Sequence, residues 1–259
     1  MIKDGTITPF LFLIVIFVFV FATYYAAKKG KKFSIKKKIA AFDAIPEAIG
    51  RATEMGRPMH STSGGSRTES WRGPHVVAGL TLIAYVAEMA ARIDIPFYLS
   101  VNYPDQIVVG DETLRSAYLK AGHPERYKRE YVLYHGDTDS SYSGGMMGFM
   151  MRNNVGANFM LGGFGSESLL LAETGNRLGA MQIAGTPTTW QLPFLVTTCD
   201  YVMMGDEVYA AGCLVTGDPI ETSFVISQDY LKIISIALII LGTIISTLGS
   251  NFLVQLMKM

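Results

Sequence analysis

The chain has 259 residues, with 22 Lys/Arg balanced by 22 Asp/Glu, 49% hydrophobic residues and two cysteines. The overall balance hides an acidic body that argues against a nucleic-acid binder, and two cysteines without CxxC spacing, Cys199 and Cys213, argue against a disulfide framework. The length suffices to bury one substantial core.

Phe10 to Ala27 is apolar apart from Thr23 and the closing Tyr24 and Tyr25. At about 1.5 Å per residue it covers most of a ~30 Å hydrocarbon core. Only Lys3 precedes this stretch, whereas Lys28, Lys29, Lys31, Lys32, Lys36, Lys37 and Lys38 follow it. A cleaved signal carries its positive charge first, so the order predicts an uncleaved anchor. Lysines beside a span stay on the cytoplasmic side, which places the N-terminus outside and the central residues inside. The tether is basic and suited to anionic headgroups, while residues 43–228 carry twelve Lys/Arg against twenty Asp/Glu. That acidic body would be repelled by nucleic acid.

Alternating segments fill the centre. A helix is predicted over Phe42–Glu54, a short strand at Pro58–His60, and a long amphipathic helix over His75–Arg92, opened by Pro74. A buried strand Ile95–Val101 follows, then a helix Asp111–Lys120, a strand Tyr131–Tyr134 and a Met-rich helix Tyr142–Arg152. Next come a strand Ala157–Leu161, a helix Glu167–Leu178, a strand Ala180–Ala184, a strand Tyr201–Met204 and a short helix Glu207–Leu214. Regular alternation with short turns predicts a doubly wound, mainly parallel, Rossmann-like α/β sheet. Ile233 to Met257 is again apolar and predicts a second span. The expected organisation is an anchor at 1–27, a basic linker at 28–42, a soluble α/β domain at 43–228 and a C-terminal transmembrane helix at 229–259. The expected location is the cell membrane, with two spans and the central domain cytoplasmic.

Several stretches resemble an uncharacterised family of archaeal and bacterial membrane proteins catalogued as a domain of unknown function. They are Ser166–Leu169, Ala172–Gly175, Gln182–Thr186, Gln191–Phe194, Cys199–Tyr201 and Ala44–Gly50. The resemblance implies terminal spans around a cytoplasmic domain and carries no activity.

Candidate sites are few. The turn Gly162-Gly163-Phe164-Gly165-Ser166 lies between a strand and a helix, where nucleotide-binding folds cradle phosphate. It lacks the third glycine of GxGxxG, and Glu167 puts a negative charge where phosphate would sit. A structural turn capped by Ser166 accounts for the same residues. If the carboxyl edge of the sheet binds a ligand, Ser166, Glu167, Thr186 and Gln191 are the expected contacts, within a larger set that includes Glu173, Gln182, Asp200, Asp206 and Glu207. His135, Asp137 and Asp139 alternate past a strand and form the one candidate for a hard divalent ion, although Asp and Gly are also ordinary turn residues. No zinc, haem or other cofactor is expected, and no catalytic residue is assigned.

Met146, Met147, Met150 and Met151 form a double stripe at helical spacing that serves either core packing or a subunit contact. Gly242, Ser246 and Ser250, with Gly249 alongside, repeat the small-xxx-small pattern of helices that pair in lipid. The expected oligomer contacts are therefore Gly242, Ser246, Gly249, Ser250, Met146 and Met150. The function expected first is a membrane-anchored scaffold whose cytoplasmic domain and second span form a homo-oligomer. The alternatives are a membrane-tethered enzyme or small-ligand sensor using the carboxyl edge, and an accessory subunit of a transporter, whose membrane-complex partner the sequence does not identify.

Overall fold

The structure is a computed structural model that describes residues 7–31, 33–35 and 37–247. Lys32, Lys36, Gly249, Ser250, Asn251, Gln255 and the side chain of Ser246 lie outside the described residues. The chain forms two compact units, one of residues 37–216 and one of the terminal segments 1–36 and 217–259.

The terminal unit holds α1 (Ile7–Lys28) and α10 (Pro219–Thr247). They pack on each other through ring pairs Phe19–Tyr230 and Tyr24–Phe224, with centroids 6.2 and 6.1 Å apart. Phe17, Val18, Ile236 and Ile239 are among many large apolar side chains left exposed on these helices. Burial would ordinarily hide such surface. Both helices are long and apolar enough to cross a membrane. Helix α10 is continuous through residue 229, the expected start of the second span, because nothing between Pro219 and Thr247 breaks it.

The central unit runs α2 (Ala40–Asp43), α3 (Ile45–Glu54), β1 (Met59–Thr62), α4 (Gly73–Ile93), β2 (Phe97–Val101), α5 (Pro104–Lys120) and β3 (Val132–Tyr134). It continues with α6 (Asp139–Asn153), β4 (Ala157–Leu161), α7 (Glu167–Leu178), β5 (Met181–Thr186), α8 (Leu192–Thr198), β6 (Tyr201–Met204) and α9 (Glu207–Thr216). The six strands are all parallel, in the order β3-β2-β1-β4-β5-β6. The order reverses between β1 and β4, which places the switch point at the centre of the sheet.

Alternation along each strand sends neighbours to opposite faces. His60 and Thr62 meet Phe149 and Tyr142 of α6, and Met160 joins Tyr142, Met146, Phe164, Leu171 and Ala184 in a buried cluster. On the other face Phe97 meets Phe159 at 6.5 Å, with α4 packed on β4 and α5 on β2. A Cβ on Gly79 of α4 would overlap the Leu161 carbonyl, so glycine lets this helix rest directly on the end of β4. Helix α4 is a third helix apolar enough to cross a membrane, yet Val76, Leu82, Ile83, Val86, Ala87 and Ala90 are wholly buried. At ~25 cal/mol per Å² of apolar area, such burial is the main stabilising term for the unit.

Met146 and Met150 are fully buried in the cluster with Tyr142. They pack the core and present no surface to a neighbouring subunit, while Met151 is exposed and Met147 half-buried.

A polar row crosses the α6 face of the sheet. His135 Nε2 lies 3.1 Å from Ser100 Oγ, which lies 2.8 Å from His60 Nε2. His60 Nδ1 lies 2.9 Å from Asn158 Oδ1, and Asn158 Nδ2 donates to Gln182 Oε1 at 3.1 Å. Gln182 Nε2 donates to the carbonyls of Ala172 and Thr198. The two amides orient the row, since Gln182 donates to two carbonyls and accepts from Asn158, whose Oδ1 therefore accepts from His60 Nδ1; with His60 neutral, Ser100 donates to His60 Nε2 and His135 donates from Nε2 to Ser100. Burial holds the His60 pKa at about 4, against an ordinary 6.5.

Candidate functional site

The carboxyl ends of β1 and β4 run into two glycine-rich loops that cross. Gly163 N donates to Ser63 O at 3.0 Å, and Ser66 Oγ donates to Gly163 O at 2.8 Å. Gly64 and Gly162 have φ of +91° and +145°, and a Cβ on either would overlap the backbone of the opposite loop. Glycine is required here by both conformation and close approach. Tyr142 OH bonds Thr62 Oγ1, and Asn102 Nδ2 and Gln106 Nε2 donate to the carbonyls of Gly65 and Ser66. The β2–α5 connection thereby braces the loop that follows β1.

Glu167, the first residue of α7, is 3% exposed. Its Oε1 accepts the backbone amides of Gly65 at 2.8 Å and Gly165 at 2.9 Å. The carboxylate thus fills the position where an anion would meet these amides. Ser166 stands at the helix cap but its side chain makes no capping bond and is exposed, which corrects the expectation of a serine cap. Glu167 satisfies the Gly165 amide in its place.

Of the other expected contacts, Thr186 lies at the end of β5, where its Oγ1 accepts Thr188 N at 3.1 Å. Gln191 Oε1 accepts Ser168 Oγ at 2.7 Å, tying the β5–α8 connection to α7. Gln182 and Asp200 stand at the opposite edge, where Gln182 N donates to Asp200 Oδ2 at 2.7 Å. Glu173 pairs with Arg177 along α7, and Glu207 pairs with Lys37 and accepts Met204 N. The carboxyl edge therefore brings together Glu167, Thr186 and Gln191 but neither Gln182, Glu173 nor Asp200.

His135, Asp137 and Asp139 do not converge on one point. The His135 ring turns toward Ser100 and Phe149, while both aspartates are exposed. Among the described residues no group of three or more His, Cys, Asp or Glu is placed to hold a metal. Burial pushes the Cys199 thiol up to about 12, so it is not a thiolate nucleophile at neutral pH.

The residues that sequence reasoning missed lie over the mouth of the loops. Trp71 and Trp190, the chain's two tryptophans, are 67% and 49% exposed with ring centroids 5.8 Å apart. The Arg72 guanidinium carbon lies 4.8 Å from one ring and 5.1 Å from the other, and Arg72 Nη1 reaches the Phe164 carbonyl at 3.4 Å. His75, in the first turn of α4, meets Trp71 at 5.9 Å and Tyr209 at 6.4 Å. Burial, then the charge of Arg72, holds the His75 pKa below its ordinary value. The legible signal was two tryptophans in segments rich in turn residues, one of them followed by Arg-Gly-Pro.

Six buried side-chain atoms have no hydrogen-bond partner among the described residues. Ser61 is within β1, but Ser63 Oγ, Asn102 Oδ1 and Thr188 Oγ1 follow β1, β2 and β5, and Arg72 Nε and His75 Nδ1 sit at the start of α4. Ser63, Asn102 and Thr188 are at most 2% exposed. Orphaned buried polar groups are rare because each costs about 1–3 kcal/mol. Here they gather at one edge.

A family model described as a domain of unknown function, DUF6754, matches residues 1–257. The chain belongs to this family. Neither a curated protein nor a solved structure matches it. The DUF6754 match covers both units, so the site described above lies within the family's shared region.

Proposed function

We propose that this DUF6754 protein is a membrane-attached, Rossmann-like domain that binds a small ligand at the carboxyl edge of its sheet, with α1 and α10 as its spans and the central unit on the cytoplasmic side. The observation that supports this reading is the gathering of unpartnered, buried Ser63, Asn102 and Thr188 atoms at the strand ends, on the edge that also carries the exposed Trp71–Arg72–Trp190 cluster. Ligands of doubly wound sheets bind outside the carboxyl ends at the switch point, and aromatic faces with convergent polar groups are the usual lining of such sites. The seven lysines after the first apolar stretch support the cytoplasmic side. The decisive experiment is mass measurement of the protein extracted from its native membrane, with the retained small molecule identified. Wild type should carry a ligand that Trp190→Ala and Arg72→Met lose. A wild-type protein that retains nothing, and gains no stability from a metabolite extract, overturns the reading.

Assembly through α10 is a separate proposal. It is supported by Gly242 and Ser246 at four-residue spacing on a helix whose apolar side chains Ile236, Ile239 and Ile240 are exposed.

A further inference from the structure

Two backbone donors at the switch point converge on a single oxygen. Gly65 N comes from the loop after β1 and Gly165 N from the loop after β4, and both bond Glu167 Oε1. Glycine walls this cradle. A Cβ on Gly65 would stand 2.7 Å from Oε1 and one on Gly165 2.9 Å from Oε2. Convergent amides beside a helix N-terminus hold oxyanions by hydrogen bonding and by the helix field. The cradle demonstrates this capacity, since it already holds a carboxylate that belongs to the chain.

That carboxylate is poorly matched to its surroundings. A carboxylate offers about four acceptor positions, and the two amides use one oxygen. Among the described residues Glu167 Oε2 has no hydrogen bond and no Lys, Arg or His stands within ion-pair distance. Two donors at the same edge remain unused: Arg72 Nε and the hydroxyl of Ser63, which is 1% exposed and follows β1. Arg72 is close, because its Nη1 lies 3.9 Å from the Cβ position of Gly165. The site therefore has more donors than its resident anion uses.

We propose that the Gly65–Gly165 cradle is the oxyanion-binding part of the carboxyl-edge site, and that Glu167 is its built-in competitor. The phosphate or carboxylate group of a ligand takes the two amides, recruits Arg72, and displaces the Glu167 side chain toward the side of the exposed Ser166. The inference rests on the reading of the carboxyl edge as a ligand site. A resident competitor lowers apparent affinity by the fraction of molecules in which the cradle is open. Removing it therefore strengthens binding, the reverse of what loss of a ligand contact does.

The test is thermal unfolding of the full chain in detergent, followed by circular dichroism, against inorganic phosphate and against acetate at constant ionic strength. Wild type should show a saturable rise in melting temperature, and Glu167→Ala should reach half-saturation at a concentration at least about tenfold lower. Glu167→Gln keeps a neutral acceptor on the amides and provides a folded comparison if the alanine variant does not fold; it should shift in the same direction. A response to phosphate alone assigns a phosphorylated ligand, and an equal response to acetate assigns a carboxylate. Adding Arg72→Met should abolish the gain. Folded Glu167→Ala and Glu167→Gln proteins with no saturable response to either anion overturn the cradle. If wild type then still retains a native ligand that Trp190→Ala loses, the ligand-site reading stands without it; if nothing is retained, both fall.

Discussion

Ser100 Oγ lies 2.8 Å from His60 Nε2 across the boundary between β2 and β1, and this hydrogen bond links the two histidines of the polar row. Burial keeps the His60 ring neutral, so that Nδ1 donates to Asn158 and Nε2 accepts from Ser100. Protonating it would place a charge inside the core and turn the Ser100 hydroxyl from His60 to His135.

The pH dependence of stability follows. His60 binds its proton at about 4 in the folded chain and at about 6.5 when unfolded. Between those values the unfolded chain binds the proton that the folded chain refuses, so the contribution is complete above pH 6.5 and is lost as pH falls toward 4. The loss is on the order of 3 kcal/mol. His75 and His135 are also held below their ordinary value, chiefly by burial, and act with the same sign. Melting temperature should fall across this window. His60→Phe should flatten the dependence, and an unchanged slope in a folded variant counts against the assignment.

Breaking the row elsewhere strands its members. Asn158→Leu should cost about 1–3 kcal/mol because His60 Nδ1 and Gln182 Oε1 both lose a partner in the core. Combining it with Ser100→Ala should cost less than the two single losses added together, since both act on one ring. Denaturant unfolding of the four proteins tests the coupling, and strict additivity would show that the row is not one network.

Adjacent glycines of α6 should respond in opposite directions. A Cβ on Gly144 meets nothing within 4 Å, so Gly144→Ala should gain about 0.5–1 kcal/mol from helix propensity. A Cβ on Gly145 would stand 2.5 Å from His135 Cβ and 2.7 Å from Nδ1. Gly145→Ala should therefore push the ring off Ser100 and destabilise by about 1–3 kcal/mol. Denaturation midpoints of the two variants decide the point.

For the proposed assembly through α10, Gly242→Leu with Ser246→Leu should lower the oligomer mass in mild detergent without unfolding the central unit, because bulk at a crossing point separates helix backbones. An unchanged mass would assign assembly to other surfaces. Protease added to intact cells should leave residues 40–228 uncut, and cleavage there from outside would reverse the proposed orientation.

Much of the architecture was legible because it is local. Strands Ala157–Leu161 and Tyr201–Met204 and helix Glu167–Leu178 occur at the residues expected from apolar runs and a terminal glycine. Helix α5 begins at Pro104 instead of Asp111, since Pro104 and Asp105 supply a first turn that precedes its apolar positions. Strand β2 begins after Pro96, which has no N–H for the ladder, and not at Ile95. The site was far less legible. His60, Ser100, Asn158 and Gln182 stand singly on four strands and become a row only through the register. Trp71 and Trp190 likewise meet only because β1 and β5 end on the same edge. The methionine stripe was ambiguous by its nature, as helical spacing cannot say which side of a helix faces the core.

The placement of both tryptophans at one end of the sheet makes the protein's own fluorescence a local signal. Every indole in the chain belongs to the Trp71–Trp190 pair, and both rings lie against the Arg72 guanidinium. A change in indole emission, excited selectively over tyrosine, therefore reports on the carboxyl edge alone, without a label and without tryptophan background from α1 or α10. The same optical window follows the movement of Arg72 in real time, so the kinetics of any event at this edge are open to stopped-flow measurement on the unmodified chain.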